Sequence, residues 1–192
     1  MRIILVALIW ALATPVLAQE AEPPAEKPMP AALAGVPETL AKRLRRAPDD
    51  FVADAASLIL GYGRDQGIDR AGIAQYVAVE RARARAGALR RMWEADLNAD
   101  GAVTQVELGV LVAAAEARYR GRMMLTHEAA DGDGDGTVTA VEMLAKANVM
   151  ALEQFSAADE ERAMAMLTLD LNGDGTLSLD EVREVARMMG ET

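Results

Sequence analysis

The sequence predicts an all-α protein built from paired helix–loop–helix units in two lobes. Three twelve-residue segments share one pattern of aspartates, a glycine and a final glutamate, at residues 96–107, 131–142 and 170–181. They begin 35 and 39 residues apart, so the unit recurs at near-regular intervals. After Pro48 the chain has no further proline and is rich in alanine, leucine, methionine and arginine, which favours helices between the loops.

The first eighteen residues have the organisation of a secretory signal. Arg2 precedes an apolar run from Ile3 to Ala13, and Val16-Leu17-Ala18 places small residues where signal peptidases cleave. We therefore predict that residues 1–18 are removed and that the protein is periplasmic or secreted. The alternative is a retained membrane anchor, which is disfavoured because a spanning helix needs about 20 apolar residues.

Residues 19–37 contain five prolines among alanine and glutamate, so we predict a disordered linker there.

The composition of the remaining chain limits the classes of partner. The chain has no cysteine, which excludes disulfides. Residues 94–192 hold 7 basic and 20 acidic side chains, whereas residues 36–93 hold 11 basic and 7 acidic ones. An acidic half that contains all three loops argues against nucleic acid as a partner and favours cations.

The helix predicted after Pro48 places Phe51, Ala55, Leu58 and Tyr62 on one face, with Asp49 and Asp50 as candidate capping residues. A step of 35 residues back from Asp96 leads to Gly61, where a fourth unit would begin. In this register Ile68 and Asp69 match Val103-Thr104, but glycines at 61, 63 and 72 replace the oxygen ligands. We interpret residues 61–72 as a degenerate unit that has lost its metal.

The loops indicate calcium. Calcium prefers about six to eight oxygen ligands in flexible geometry, and a short loop supplies them when alternate side chains converge around a sharp glycine turn. Asp131, Asp133, Asp135, Gly136 and Glu142 follow this spacing, and the flanking segments repeat it. From Phe51 to Gly190 the chain resembles the EF-hand family, in the four-hand calmodulin-like layout with a degenerate first hand and of an exported bacterial type.

The resemblance implies a ligand set for three Ca²⁺ sites. It assigns side-chain oxygens to loop positions 1, 3 and 5, and a backbone carbonyl to position 7. Position 9 makes a water-mediated contact, and position 12 is a bidentate glutamate. The residues at these positions are Asp96, Asn98, Asp100, Ala102, Thr104 and Glu107; Asp131, Asp133, Asp135, Thr137, Thr139 and Glu142; and Asp170, Asn172, Asp174, Thr176, Ser178 and Glu181. It also implies short β-bridges between paired loops, through Val103, Val138 and Leu177.

The three loops are not equivalent. Residues 131–142 supply four ligand carboxylates, whereas asparagine at position 3 leaves three in each of the others, so we expect the middle loop to bind most tightly. Ala99 stands where Gly134 and Gly173 stand, and a left-handed backbone there costs roughly 1–2 kcal/mol. We therefore expect loop 96–107 to bind most weakly. A glutamate at position 12 favours calcium over magnesium.

Other features allow two interpretations each. Met143, Met150, Met164, Met166, Met188 and Met189 could form a Met-rich groove for a protein or peptide partner, or could fill an ordinary core. Arg81, Arg83, Arg85, Arg90 and Arg91 form either a solvated helix face or an anionic-partner surface. His127, the only histidine, is more consistent with a core or boundary position than with a ligand, because calcium binds oxygen.

The expected organisation follows chain order. An N-terminal pair, residues 38–125, would contain the degenerate unit and loop 96–107, and a C-terminal pair, residues 126–192, would contain the other two loops. No nucleophile–base pair or zinc site can be assembled from the sequence, so we predict no enzymatic activity. The predicted function is a calcium-responsive binding module; the alternatives are a calcium buffer or calcium-stabilised protein without a partner groove, or a non-catalytic enzyme subunit.

Overall fold

The computed structural model describes residues 33–65, 67–113 and 115–190. The predicted signal segment, 1–18, and the part of the predicted linker at 19–32 lie outside the described residues. None of the helices formed by the described residues is both long enough and apolar enough to cross a membrane.

The all-α fold with short β-bridges is confirmed. Within the described residues the α-helices are α1 (Glu38–Arg46), α2 (Pro48–Tyr62), α3 (Arg70–Trp93), α4 (Gln105–Ala113), α5 (Ala117–Glu128), α6 (Ala140–Gln154), α7 (Ala157–Ala165) and α8 (Leu179–Gly190). The strands are β1 (Gly67–Ile68), β2 (Ala102–Thr104), β3 (Thr137–Thr139) and β4 (Leu177–Ser178). A 3-10 helix, Met166–Leu169, follows α7.

The strands pair in a nested order. β2 is antiparallel to β3, with Val103 opposite Val138, and β1 is antiparallel to β4, with Ile68 opposite Leu177. Two apolar clusters follow this division. The middle lobe contains loops 96–107 and 131–142 and the cluster around Val103, Val138 and Met143. The terminal lobe contains the 61–72 unit, loop 170–181 and the cluster around Phe51, Ile68 and Leu177.

The pairing expected from chain order, 38–125 with itself and 126–192 with itself, is therefore wrong. The physical reason is α3, which runs unbroken for 24 residues and so separates the 61–72 unit from loop 96–107 by roughly 36 Å. Ile73 and Val77 near its start lie in the terminal lobe, whereas Ala88 and Met92 near its end lie in the middle lobe. The two units at the ends of one rod cannot form a β-bridge.

Helix α6 returns the chain to the terminal lobe alongside α3. The Arg81 Nε donates to the Phe155 carbonyl oxygen at 3.2 Å, and another Arg81 nitrogen lies 2.9 Å from a Glu160 carboxylate oxygen. Arg85 contacts the Asn148 side-chain oxygen at 3.5 Å, one turn farther along α3. Because rising numbers on α3 meet falling numbers on α6, the two helices are antiparallel and connect the lobes.

The predicted disordered linker is too long at its C-terminal end. Leu33 and Val36 are buried in the terminal-lobe core, and the Val36 N–H donates to the Leu33 carbonyl at 3.0 Å. Helix α1 was not predicted from the sequence, and it adds Leu40, Ala41 and Leu44 to that core. These apolar residues lie beyond the prolines at 23–30, so burial rather than proline content decides their structure.

Helix α2 begins one residue earlier than its predicted capping residues. Ala47 is the N-cap and Pro48 is the first helical residue, so Asp49 and Asp50 lie inside the first turn without capping hydrogen bonds. The predicted apolar face is confirmed through Phe51, Ala55 and Leu58, which are buried. Ser156 and Asp159 are three residues apart, a spacing that predicts a capping box, and they form one at the start of α7.

Candidate metal centres

Each candidate loop turns through left-handed backbone at two positions. The sixth residue is glycine in all three, with φ of +88° at Gly101 and +85° at both Gly136 and Gly175. The fourth residue is Gly134 (φ +75°) or Gly173 (φ +74°) in two loops. Ala99 occupies that position in loop 96–107 with φ +59°, so the predicted strained alanine is confirmed.

The first aspartate of each loop shapes the turn with both carboxylate oxygens. Asp131 accepts hydrogen bonds from the amides of Gly134 at 2.8 Å and Gly136 at 2.9 Å. Asp170 accepts equivalent bonds from Gly173 and Gly175, both at 2.8 Å. Each carboxylate oxygen accepts one N–H group and so keeps a lone pair that it can offer to a cation.

Loop 96–107 is held more loosely by its first aspartate. Asp96 accepts from the amides of Asp100 and Gly101, each at 3.2 Å, and not from the fourth residue as in the other loops. The longer distances are weaker hydrogen bonds. Since Ala99 is strained in the same turn, two independent observations distinguish this loop from the others.

The last glutamate of each loop is fixed by the ninth residue. In loop 131–142 the Thr139 amide and hydroxyl donate to Glu142 Oε2 at 2.9 and 2.8 Å, while the Thr139 Oγ1 accepts from the Glu142 amide. Thr104 with Glu107, and Ser178 with Glu181, form the same arrangement. The helix that leaves each loop therefore starts with the carboxylate at loop position 12 already oriented.

In two of the loops these donors keep the last glutamate ionised. Hydrogen bonds from the Thr139 amide, the Thr139 hydroxyl and the Gly132 amide lower the pKa of Glu142 to about 2. The amide and hydroxyl of Thr104 likewise lower the pKa of Glu107. An ionised carboxylate is the form that a divalent cation requires, so no proton has to leave these groups when an ion enters at neutral pH.

The second oxygen of the glutamate differs between loops. Glu142 Oε1 accepts from the Gly132 amide at 2.8 Å, and Glu181 Oε1 accepts from the amides of Leu171 and Asn172 at 3.0 and 3.2 Å. Glu107 Oε1 is buried and has no partner within hydrogen-bond geometry, although the backbone amides of Asn98 and Leu97 help to lower the pKa of Glu107. A cation inside loop 96–107 would satisfy this oxygen more fully.

Three carboxylates converge in loop 131–142. Asp131, Asp133 and Glu142 each present one ligand oxygen, and these oxygens lie within 4.8 Å of one another. Oxygens on opposite sides of one Ca²⁺ are separated by about 5 Å, because each lies about 2.5 Å from the ion. The donor set and the spacing therefore fit calcium, and a metal here would supply a charge centre that draws the loop together.

The remaining predicted ligands lie around the same turns. The amides of Ala102, Thr137 and Thr176 donate to the fifth-position aspartates. Ala102 and Thr137 are the first residues of β2 and β3, and Thr176 directly precedes β4. Asn98 and Asn172 donate from Nδ2 to Asp100 and Asp174 at 2.8 and 2.9 Å. An asparagine so engaged neutralises no cation charge, in contrast to Asp133.

The degenerate unit is closed by its own backbone. Arg64 and Gly67 exchange amide–carbonyl hydrogen bonds at 2.9 and 3.1 Å, and the Gly63 amide donates to the Ile59 carbonyl at 2.7 Å. A Cβ added at Gly72 would lie 2.7 Å from both Ile68 Cγ1 and the Tyr62 carbonyl oxygen. The position of the missing glutamate is therefore filled, and the unit serves as scaffold for loop 170–181.

Two other predicted features behave as structural elements. Arg81 bonds to Phe155 and Glu160, Arg83 pairs with Glu80 and Arg85 contacts Asn148, so these three arginines have partners within the chain. Met143 and Met150 pack in the middle lobe, and Met164, Met166 and Met189 in the terminal lobe. Met188 is half-buried. The methionines named for a groove thus divide between two cores.

Comparison with known proteins bears on one of the loops directly. The family model of the EF hand matches residues 165–186, which include loop 170–181 and parts of its flanking helices. This match supports an EF-hand family and suggests calcium binding. Searches of curated proteins and of solved structures found no match.

Proposed function

We propose that the protein binds three calcium ions, one in each of the loops 96–107, 131–142 and 170–181. The observation that carries the proposal is the convergence of Asp131, Asp133 and Glu142 oxygens within 4.8 Å. The other two loops share its left-handed glycine, its first aspartate and its oriented glutamate. No catalytic role is proposed, because the clustered carboxylates are accounted for as ligands.

Calorimetric titration of residues 19–192 with CaCl₂ tests the stoichiometry. We expect three ions per chain, with two in the middle lobe and one in the terminal lobe. A triple variant, Glu107→Gln, Glu142→Gln and Glu181→Gln, is the matched control and should bind none. A wild-type stoichiometry of one or two would contradict the three-site proposal.

We further propose that the protein acts in the periplasm or outside the cell as a calcium-responsive binding module. Support comes from the signal-like residues 1–18 and from Met143 and Met189, which lie in separate cores and would form partner surfaces if calcium opened the helices. Extracellular modules bind weakly, with dissociation constants on the order of 10⁻⁴–10⁻³ M.

The alternative is a buffer or calcium-stabilised protein. Burial of Met143 in the present conformation favours this alternative if it persists in the calcium-bound state. Dye fluorescence with and without CaCl₂ separates the two. A calcium-dependent increase that Met143→Gln or Met189→Gln reduces supports the responsive module, whereas higher thermal stability without new apolar surface supports the alternative.

A further inference from the structure

His127 is a buried polar residue that the proposed ligand set does not use. Its side chain lies near the end of α5 and is about nine-tenths buried. The ring Nε2 lies 3.0 Å from the Val103 carbonyl oxygen in β2. A carbonyl oxygen only accepts, so the ring carries a proton on Nε2 and donates it. The hydrogen bond therefore joins the helix entering one loop to the strand of the other.

The backbone of the same residue contacts the second loop. The His127 carbonyl accepts hydrogen bonds from the amides of Asp131 at 2.9 Å and Ala130 at 3.0 Å. Asp131 is the first residue of loop 131–142 and the one whose carboxylate shapes the turn. A displacement of the loop start is thus transmitted to the position of the His127 ring.

Val103, at the other end of the link, lies between two proposed ligand positions. Ala102 precedes it and contributes a backbone carbonyl, and Thr104 follows it and orients Glu107. Val103 is itself buried opposite Val138. A shift of the Val103 carbonyl therefore moves both neighbours in loop 96–107.

The corresponding position of the partner loop shows that packing alone does not require histidine. Met92 lies four residues before Asp96, as His127 lies four before Asp131, and both are buried in the same cluster of side chains. Methionine fills this position without any N–H donor. Histidine at the equivalent position adds one polar link, from α5 to β2, for which a methionine side chain has no N–H group.

We propose that His127 is a positioning residue that couples the two loops of the middle lobe, so that an ion in one loop raises the affinity of the other. This inference rests on calcium binding by loops 96–107 and 131–142. The coupling runs from Asp131 through the His127 backbone and ring to Val103, in addition to the β2–β3 bridge. The terminal lobe has one candidate loop opposite a closed unit and needs no such link.

The test uses the chain 19–192 carrying Glu181→Gln, so that only the middle lobe binds. Calorimetry with CaCl₂ gives the two stepwise constants of this parent, and Glu107→Gln and Glu142→Gln added separately give each loop alone. The coupling factor is the product of the two stepwise association constants divided by the product of the two single-loop association constants. Each measurement is repeated with His127→Met, His127→Gln and Met92→Leu.

His127→Met should reduce the coupling factor by about threefold to tenfold, the effect of one net hydrogen bond. His127→Gln should restore most of it, because a side-chain amide N–H can donate to the Val103 carbonyl. Met92→Leu preserves volume at the equivalent position and should leave the factor unchanged. A His127→Met factor within twofold of the parent would overturn the proposal, even if its calcium-free melting temperature falls.

A measurement without any substitution of His127 guards against a variant that does not fold. In the Glu107→Gln protein and in the Glu142→Gln protein, the ¹⁵N shift of His127 Nε2 should move when CaCl₂ fills the remaining loop. If the shift does not change when either loop is filled, or changes when only one of them is filled, the coupling is contradicted. If the parent binds no calcium, the proposed function fails; two ions bound with unaltered coupling contradict only the role of His127.

Discussion

Ile68 lies directly opposite Leu177 in an antiparallel bridge, and both side chains are fully buried. The contact joins a unit with glycine at loop positions 1, 3 and 12 to the loop matched by the EF-hand model. The terminal lobe is therefore formed from the two ends of the described chain, and the middle lobe is enclosed between them in sequence. One lobe has a single candidate site beside a rigid scaffold, and the other has two candidate sites in contact.

The nested pairing can be tested by a double-mutant cycle. Ile68→Ala and Leu177→Ala should each destabilise the protein by about 2–5 kcal/mol, because each removes a fully buried side chain. Their combined effect should depart from additivity by about 0.5–3 kcal/mol. Urea unfolding of the calcium-free protein measures this. Ile68→Ala with Val103→Ala is the control and should be additive; coupling there instead would favour pairing in chain order.

Ala99→Gly should tighten calcium binding by loop 96–107. Ala99 has φ +59°, where alanine is strained and glycine is not, and we expect calcium to hold the loop in this conformation. We expect an increase in affinity of about two- to fivefold, measured by calorimetry with the other two loops inactivated by glutamate-to-glutamine substitutions.

The reciprocal control is Gly134→Ala in loop 131–142. A Cβ at Gly134 meets no atom within 4 Å, so the substitution changes only the backbone preference at φ +75°. It should weaken that loop by a similar factor. If neither substitution alters affinity, the left-handed residue does not explain the expected weakness of loop 96–107.

Loss of Glu142 should reduce calcium affinity more than loss of any other loop glutamate. Its loop supplies four ligand carboxylates where the others supply three, and three of its oxygens already converge. Glu142→Gln should weaken the tightest site by more than about tenfold, or 1.4 kcal/mol. Glu181→Gln, titrated alongside it, should leave the tightest site unchanged, because Glu181 lies in the other lobe. A tightest site that survives Glu142→Gln would refute this order.

The capping box at the start of α7 predicts a dependence of stability on pH. The Ser156 hydroxyl and then the Ser156 amide lower the pKa of Asp159. Because the folded pKa lies below the unfolded value near 4, the box stabilises the protein above that pH and the stabilisation is lost as pH falls through the folded pKa. Ser156→Ala should cost about 1 kcal/mol at pH 7 and progressively less below pH 4.

Urea unfolding of calcium-free protein between pH 2 and 7 measures the effect. Ser57→Ala is a matched control, because Ser57 donates only to the Ala53 carbonyl within an exposed stretch of α2. Its effect should remain within about 0.5 kcal/mol at every pH. A cost of Ser156→Ala that is the same at pH 2 and pH 7 would contradict the assigned role of Asp159.

Local geometry could be predicted from the sequence because it depends on residues close together in the chain. Spacing alone indicated the turns at Gly101, Gly136 and Gly175, the left-handed backbone at Ala99 and the Ser156 cap. The 35-residue step also predicted the register of the degenerate unit, in which Ile68 takes the place of Val103 and Leu177. Each of these features is settled within about a dozen residues.

The pairing of units could not be predicted in this way. It depends on whether the segment between two loops bends or stays straight, and beyond its first turn Arg70–Trp93 contains only Gly87 as a weak signal of a break. The helical segment between loops 96–107 and 131–142 does break, because α4 ends at Ala113 and α5 begins at Ala117. Residues 113–117 contain neither proline nor glycine to signal this break. The ordered structure of residues 33–46 could not be predicted either, because these residues are held in place by burial against α2 and α8.

The sequence by itself determined three acidic loops, their unequal charge and the loss of ligands at Gly61, Gly63 and Gly72, because a ligand set is a property of residue type and short spacing. Only the tertiary structure decided that Val103 faces Val138, that Ile68 faces Leu177 and that His127 reaches across to the neighbouring loop. These contacts join residues far apart in the chain, and their selection depends on how the long helices pack against one another.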